Sequence, residues 1–159
     1  MYSTIYSSPL GEMLIAGDGE AISEVRFCGQ KHFPKHENLI QNDDLAIFKK
    51  VAGWLDDYFN GGNPQIDFKI NPQGTDFRLK VWRILSEIPY GETVTYGEIA
   101  SRISPNMAAQ AVGGAVGHNP IAIIIPCHRV MGANGKLTGY AAGLDRKIEL
   151  LKLERISWI

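Results

Sequence analysis

Short runs in which apolar and polar residues partly alternate occupy much of the first 27 positions of the chain. This pattern is typical of β-strands that bury one face. It predicts strands over Ser3–Ser7, Glu12–Gly17 and Ala21–Phe27. Asp18 and Gly19 lie between the second and third runs and favour a tight turn. The N-terminal region is therefore expected to consist of strands.

The next segment has a helical period, because its apolar residues recur at spacings of three and four positions. Asn60-Gly61-Gly62 ends the predicted helix. Residues 60–74 are rich in glycine and proline and predict a linker between a domain over residues 1–70 and a second domain over residues 74–159. The apolar positions of the helix are Ile47, Phe48, Val51, Trp54, Leu55, Tyr58 and Phe59.

Residues 75–103 carry signals for two helices. Thr75 is a suitable N-cap for the first, which Pro89-Tyr90-Gly91 is expected to end. Thr95 and Glu98 form a capping box for the second, which is expected to run to Ile103. The apolar positions of the first helix are Phe77, Val81, Ile84, Leu85 and Ile88.

Ser104 and Pro105 predict the start of a further helix over Asn106–Val116. Two short helices joined by a tight turn make a helix-turn-helix candidate. The second of them contains Gly113-Gly114, and each glycine inside a helix costs roughly 1 kcal/mol relative to alanine. The pair indicates either the close approach of a ligand such as DNA or tight packing against a neighbouring helix, and the sequence leaves both open.

Composition indicates a soluble globular protein. Of the 159 residues, 45% are hydrophobic and 21% charged, which argues against disorder. The longest apolar run, Ile121–Ile125, is too short to cross a membrane, and the N-terminus lacks the pattern of a signal peptide. The two cysteines, Cys28 and Cys127, exclude a disulfide scaffold, so we expect a cytoplasmic protein with reduced thiols.

Charge is unevenly distributed, although the net charge is only −1. Residues 1–74 hold six Lys/Arg and ten Asp/Glu, a net of −4, whereas residues 75–159 hold ten and seven, a net of +3. The basic excess of the C-terminal half is compatible with phosphate contact there. Many unrelated proteins share such a split, so charge alone does not identify a partner.

The segment with the clearest chemistry begins at Ile121–Ile125, which is expected to be a buried strand or core segment. It leads directly into Cys127 and His128. A thiolate is a strong nucleophile, and an imidazole can accept the thiol proton; because the side chains of adjacent residues rarely face each other, we expect a water between them. A carboxylate would then orient the imidazole. The alternative is an inert buried thiol beside a core histidine.

Several motifs together resemble the O6-alkylguanine-DNA alkyltransferases, also called methylated-DNA–protein-cysteine methyltransferases. They are IPCHRV, the preceding GGAVGHNP, the following TGYAAGLDRKIELLKLE, and the upstream GTDF, VW and IPYGETVTYGEIA. The resemblance covers roughly residues 74–154. It implies an α+β protein with a small ribonuclease-H-like α/β N-terminal domain and a helical, winged helix-turn-helix C-terminal domain. It also implies the stand-alone form, without an Ada-type zinc domain.

The resemblance assigns five residues to the reaction. Cys127 falls on the alkyl acceptor, His128 on the water-linked base and Glu154 on the carboxylate that orients this base. Tyr96 falls on the tyrosine that donates a hydrogen bond or proton to guanine N3. Asn119 falls on the asparagine that braces the active-site segment. The implied reaction is irreversible and stoichiometric, needs neither cofactor nor metal, and consumes one protein molecule per lesion.

The implied partner is alkylated double-stranded DNA, bound in the minor groove by a monomer with the damaged base flipped out. O6-alkylguanine is the expected substrate, and O4-alkylthymine is a second one. Two positions depart from the family pattern: Gln110 replaces the usual arginine, which predicts weaker DNA binding or slower repair of duplex, and Ala141 replaces a serine found in some relatives. The DNA-binding residues are Ala108, Ala109, Gln110, Gly113 and Gly114, and the pocket residues are Val130, Gly139, Tyr140 and Ala141.

Two other functions remain open at this level. A non-catalytic sensor of alkylated bases would share the fold but lack the acceptor cysteine, and Cys127 argues against it. A helix-turn-helix transcription regulator leaves the matching active-site positions unexplained. A zinc site at Cys28, His32 and His36 is conceivable from their spacing of four, but a fourth ligand is not evident and we expect no metal.

Overall fold

The computed structural model describes residues 1–158 and divides the chain into two units. The first unit comprises residues 1–73 together with 120–122. The second comprises residues 74–119 and the chain from residue 123 onward. No helix within the described residues is both long and apolar enough to cross a membrane.

The first unit is built on a five-stranded sheet in the order β4-β1-β2-β3-β5. Strands β1 (Tyr2–Ser8), β2 (Gly11–Gly17) and β3 (Ala21–Phe27) are antiparallel, and they correspond to the three strands predicted from the alternating pattern. Two short strands, β4 (Ile40–Gln41) and β5 (Lys69–Ile70), lie parallel to β1 and β3 at the two edges. Strand β5 lies in the segment predicted as a linker, so that segment is partly a sheet edge.

Helix α1 (Ala46–Phe59) follows the predicted apolar period closely. The chain turns at Gly61, just beyond the C-terminus of α1. Gly61 has a φ of +91°, a left-handed conformation that glycine adopts without a Cβ clash. Between β2 and β3, the carboxylate of Asp18 accepts hydrogen bonds from the backbone N–H groups of Glu20 and Ala21. Local residues therefore determine both turns, as the sequence predicts. The buried positions of α1 are Ile47, Phe48, Val51, Trp54, Leu55 and Tyr58.

Residues 120–122 add one bridge to the edge of β3. Val25 donates its N–H to the carbonyl of Pro120 at 2.9 Å, and its carbonyl accepts from Ala122 at 2.8 Å. The expected strand over Ile121–Ile125 does not form, because the backbone turns at residues 122–124 and Ile123 has a φ of +69°. A left-handed residue cannot continue an extended strand, so the run is the buried core segment that the sequence offered as an alternative.

The second unit begins with helix α2 (Asp76–Leu85). Thr75 caps it as predicted, since its hydroxyl accepts from the N–H of Arg78 at 3.2 Å. The helix ends at Leu85, earlier than Pro89 suggested, and Ile88 is buried in the turn that follows.

Helices α3 (Tyr96–Ile103) and α4 (Ala109–Gly117) form the helix-turn-helix. Thr95 caps α3, accepting from the N–H of Glu98 at 3.1 Å, in agreement with the predicted cap. Helix α4 begins three residues later than predicted. The reason is that the hydroxyl of Ser104 accepts from the nearby N–H of Asn106, which closes a local turn instead of capping a helix.

The remaining elements of the second unit hold the chemistry-bearing segment. A 3₁₀ turn (Cys127–Arg129) leads into β7 (Val130–Met131), which pairs in parallel with β6 (Val94–Thr95). A turn over Ala133–Gly135, in which Asn134 has a φ of +60°, follows β7, and the final helix is α5 (Leu144–Leu153). The winged element that the resemblance implies stays a prediction, since β6 and β7 form only a two-residue parallel pair.

Candidate active site

Cys127 lies at the start of the 3₁₀ turn and is only 7% exposed. The carbonyl of Ile125 accepts two hydrogen bonds at 2.8 Å, one from the backbone N–H of Cys127 and one from the side-chain amide of Asn119. Asn119 thus braces the segment that carries the cysteine, which is the position that the resemblance implies for it. Its side chain also hydrogen-bonds the Cys127 thiol.

His128 and Glu154 are in direct contact although 26 residues separate them in the sequence. The imidazole Nε2 of His128 lies 2.5 Å from the Glu154 carboxylate, and both side chains are fully buried. The N–H of Gly91 donates to the same carboxylate at 3.0 Å. With Nε2–H donating to Glu154, a neutral imidazole carries its acceptor lone pair on Nδ1, so Glu154 fixes the tautomer that a base needs.

Arg129 completes the surroundings of Glu154. Its guanidinium donates to both carboxylate oxygens, at 2.7 and 3.2 Å, and to the carbonyl of Ile88 at 2.8 Å. It also lies over the ring of Tyr90, 5.7 Å from the ring centre. Glu154 is therefore a buried carboxylate held by one arginine, one histidine and one backbone N–H, and removal of Arg129 would leave its charge uncompensated.

Lys147 is a site residue that the sequence analysis missed. It lies in α5, has no solvent exposure, and donates from Nζ to the carbonyl of Val130 at 2.7 Å and toward that of Gly139 at 3.5 Å. Burial lowers the pKa of Lys147 to about 8. Its place four residues before buried Leu151, on the apolar face of α5, was the available signal.

The environment shifts the pKa values of both reactive groups. Burial raises the pKa of the Cys127 thiol, while hydrogen bonds from Asn119 and Tyr140 and the charge of Lys147 lower it. Burial also lowers the pKa of His128, against the opposite influence of Glu154. The resting site therefore holds a thiol beside a neutral imidazole. We call Cys127, His128, Arg129, Lys147 and Glu154 the acceptor cluster.

A groove of about 860 Å³ opens beside this cluster in the second unit. Tyr96, Ala109, Gln110 and Gly113 line one part of it, and Met131 with the turn at Ala133–Gly135 lines another. Cys127 is buried and is not among the residues that line this groove.

The exposed residues around the start and middle of α4 form a surface of small side chains. A Cβ added at Gly114 would meet no atom within 4 Å, and one at Gly113 would touch only the Tyr96 ring at 3.9 Å. Tight packing against a neighbouring helix therefore does not explain the glycine pair, and the open surface favours the approach of a ligand. We call Ala108, Ala109, Gln110, Gly113 and Gly114 the α4 face.

The pocket residues predicted from the resemblance lie on two segments. Val130 is buried in β7, and Gly139, Tyr140 and Ala141 precede α5. The carbonyls of Val130 and Gly139 both face Lys147, and Tyr140 contacts the Cys127 thiol. These segments therefore converge on Cys127.

Cys28, His32 and His36 do not form a metal site in this structure. His36 instead contacts the carboxylate of Glu24 at 3.0 Å. Within residues 1–158, no group of three or more His, Cys, Asp or Glu side chains is arranged to hold a metal ion.

Comparison with known proteins matches both units to one family. Residues 1–72 match the ribonuclease-like domain of 6-O-methylguanine DNA methyltransferase, and residues 76–156 match the DNA-binding domain of the same family. The chain belongs to the 6-O-methylguanine DNA methyltransferase family. This membership confirms the predicted fold class and the resemblance seen in the motifs.

Relatives match along nearly the whole chain. A methylated-DNA–protein-cysteine methyltransferase of Methanosarcina acetivorans is 51% identical over 155 residues, covering 97% of this chain and 98% of the relative. The Mycobacterium tuberculosis OGT solved in complex with DNA superposes with a TM-score of 0.90 at 43% identity, covering 98% of this chain and 93% of that one. A Methanococcus jannaschii O6-methylguanine DNA methyltransferase superposes with a TM-score of 0.66 at 29% identity, covering 98% and 95%.

Proposed function

We propose that this chain repairs DNA by moving the alkyl group of O6-alkylguanine, and also of O4-alkylthymine, onto Cys127. The observation that carries the proposal is the acceptor cluster, in which the Cys127 thiol contacts Asn119 and Tyr140 and lies within the field of Lys147, next to a His128–Glu154 pair at 2.5 Å. The product is a thioether with no ready reverse reaction. Each molecule therefore acts once and needs no cofactor.

Activation of the thiol is the first step. His128 accepts the Cys127 proton through an intervening water, and Glu154 stabilises the imidazolium that forms. Asn119, Tyr140 and Lys147 stabilise the thiolate, because each of them lowers the pKa of Cys127 against the effect of burial.

The alkyl group then moves in a single displacement step. The sulfur lone pair forms the S–C bond while the C–O6 bond breaks, and the electron pair of the C–O6 bond passes to the guanine ring. Tyr96 donates a proton to N3 of the departing base and stabilises the charge that develops there. The proton lost from Cys127 restores the phenol through solvent, so the net products are S-alkylcysteine and guanine.

DNA binding is assigned to residues 74–159, with the α4 face in the minor groove and residues 1–70 forming the ribonuclease-like domain. The open surface at Gly113 and Gly114, the lining of the groove by Gln110, and the basic excess of this half support the assignment. Because Cys127 is buried, the damaged nucleotide has to leave the helix to reach it. We propose a monomer acting in the cytoplasm, where thiols stay reduced.

The test is a titration with excess duplex DNA carrying O6-methylguanine, followed by the intact mass of the protein. We expect the mass to rise by one methylene per molecule and transfer to stop at one methyl group per protein. The Cys127→Ala variant should gain nothing, and the matched Cys28→Ala variant should behave as the parent. Tight binding of methylated duplex with an unchanged parent mass would instead favour the non-catalytic lesion sensor.

A further inference from the structure

Thr138 contacts the one groove residue that the proposed reaction uses as a proton donor. Its hydroxyl donates to the phenol oxygen of Tyr96 at an oxygen–oxygen distance of 3.4 Å. Both residues are half-buried. We propose that Thr138 is a positioning residue that orients the Tyr96 O–H toward the departing base; the inference rests on the proposed function.

The position of Thr138 is fixed by Gly132. A Cβ at Gly132 would lie only 2.5 Å from the Thr138 methyl carbon, so this methyl occupies the space that a side chain would need. Gly132 is itself held, since its N–H donates to the carbonyl of Lys136 at 2.8 Å. Because methyl and hydroxyl share one Cβ, fixing the methyl also fixes the direction of the hydroxyl.

The position of Tyr96 is fixed by the two helices of the helix-turn-helix. Tyr96 is the first residue of α3, directly after its cap Thr95. Its ring edge lies 3.9 Å from the place where Gly113 of α4 would carry a Cβ. The backbone of Tyr96 is therefore held by the start of α3, and its ring passes close to Gly113, while the O–H can still rotate about its C–O bond.

Donation from Thr138 uses one lone pair of the phenol oxygen and so turns the Tyr96 proton away from Thr138. Tyr96 lines the groove, which under the proposed function receives the departing base. As Tyr96 gives its proton to N3, negative charge develops on the phenol oxygen, and the Thr138 hydrogen bond strengthens with that charge. The contact therefore acts mainly in the transition state and contributes little to binding of DNA.

The experiment compares Thr138→Val, Thr138→Ser, Tyr96→Phe and the double variant Thr138→Val/Tyr96→Phe. Valine keeps the methyl that packs on Gly132 and removes only the hydroxyl. We expect Thr138→Val to lower the single-turnover rate at saturating methylated duplex by about five- to tenfold, the loss of one hydrogen bond. Its Kd for the duplex should stay within about twofold, because the Thr138–Tyr96 hydrogen bond is present before DNA binds and strengthens only in the transition state. Thr138→Ser should recover most of the rate.

The double variant separates positioning from a general structural effect. If Thr138 acts through Tyr96, adding Thr138→Val to Tyr96→Phe changes the rate no further. Should Thr138→Val equal the parent, or slow the Tyr96→Phe protein as much as the parent, the inference is wrong while the proposed function stands. A parent that transfers no methyl group at all would overturn the proposed function and this inference with it.

Discussion

The acceptor cluster and the α4 face both belong to the second unit, but they differ in how many contacts their residues make within the protein. In the cluster, the single residue Glu154 accepts hydrogen bonds from His128, Arg129 and Gly91, and all of these contacts lie within the protein. On the α4 face, a Cβ at Gly114 would lie in open space.

The difference separates chemistry from recognition. The cluster holds charges away from water at fixed distances, so its electrostatics act without reorganisation during the reaction. The α4 face consists mostly of small, exposed residues, and under the proposed function its contacts form only when DNA approaches. Changes in the cluster should therefore alter the transfer rate and stability, whereas changes on the α4 face should alter DNA affinity.

The largest expected effect is that of Glu154→Gln. The amide leaves the Arg129 guanidinium buried without its counter-charge, so we expect the free energy of unfolding to fall by about 3–5 kcal/mol. Loss of support for the imidazolium should lower the single-turnover transfer rate about 100-fold. Urea denaturation and rapid-quench transfer assays measure the two effects.

Glu149→Gln is the control, because Glu149 lies in the same helix but is half-exposed beside Lys152. It should change stability by less than about 0.5 kcal/mol. Equal losses in the two variants would mean that burial of Glu154 has no special role.

The second prediction concerns Lys147 and pH. Below about pH 8 its ammonium is charged and lowers the pKa of Cys127; above about pH 8 this charge is lost. The parent rate should therefore rise with pH as thiolate forms and flatten near pH 8. Lys147→Met should be about tenfold slower at pH 7, an effect equal to about one pKa unit of Cys127, and its rate should keep rising past pH 8.

Lys152→Met, an exposed change in the same helix, should keep the parent profile. Parallel profiles for the parent and Lys147→Met would show that the lysine charge does not act on the thiol.

The third prediction tests recognition through Gln110→Arg. An added charge on the α4 face should bind duplex DNA more tightly and steepen the slope of log Kd against log salt by about one. The rate at saturating DNA should stay unchanged, because Gln110 lies outside the acceptor cluster. The control is Gln65→Arg, which adds the same charge at an exposed site of the first unit. If Gln110→Arg neither binds duplex DNA more tightly nor repairs it faster at subsaturating DNA than the parent, glutamine at this position does not weaken DNA binding.

The smallest expected effects are those of Gly114→Ala, which should raise the stability of the protein and lower its affinity for DNA. Alanine should stabilise the free protein by about 0.5–1 kcal/mol, since it favours helix and meets no atom there. The same methyl should weaken DNA binding if DNA approaches α4 closely. Gly53→Ala in α1, where a Cβ also meets nothing, should stabilise equally and leave DNA binding unchanged. Unchanged affinity in Gly114→Ala would place the DNA elsewhere.

Local patterns predicted the local structure. The alternating runs yielded β1 to β3 to within about a residue at most ends, and the caps at Thr75 and Thr95 form as expected. The two-residue strands β4 and β5 were not predictable, because only their partner strands define them. The start of α4 was misplaced because Ser104 can close a turn as readily as cap a helix.

The residues of the candidate site were predicted from the sequence motifs and not from the pattern of hydrophobic and polar positions. The motifs indicated Cys127, His128 and Glu154, and the structure places the last two in contact. Lys147 was missed because its partners are the carbonyls of Val130 and Gly139, which only the tertiary fold brings to α5. Thr138 was missed for the same reason, since its partner Tyr96 lies 42 residues earlier.

Peptide mass mapping after reaction with O6-methylguanine duplex tests the central claim most directly, because the chain offers two chemically different cysteines. Cys28 is exposed and Cys127 is buried in the acceptor cluster. We predict that the added methyl group is found on the peptide containing Cys127 in stoichiometric amount, and that the Cys28 peptide is unmodified. A methyl group on Cys28, or on neither peptide while the DNA loses its lesion, would contradict the account.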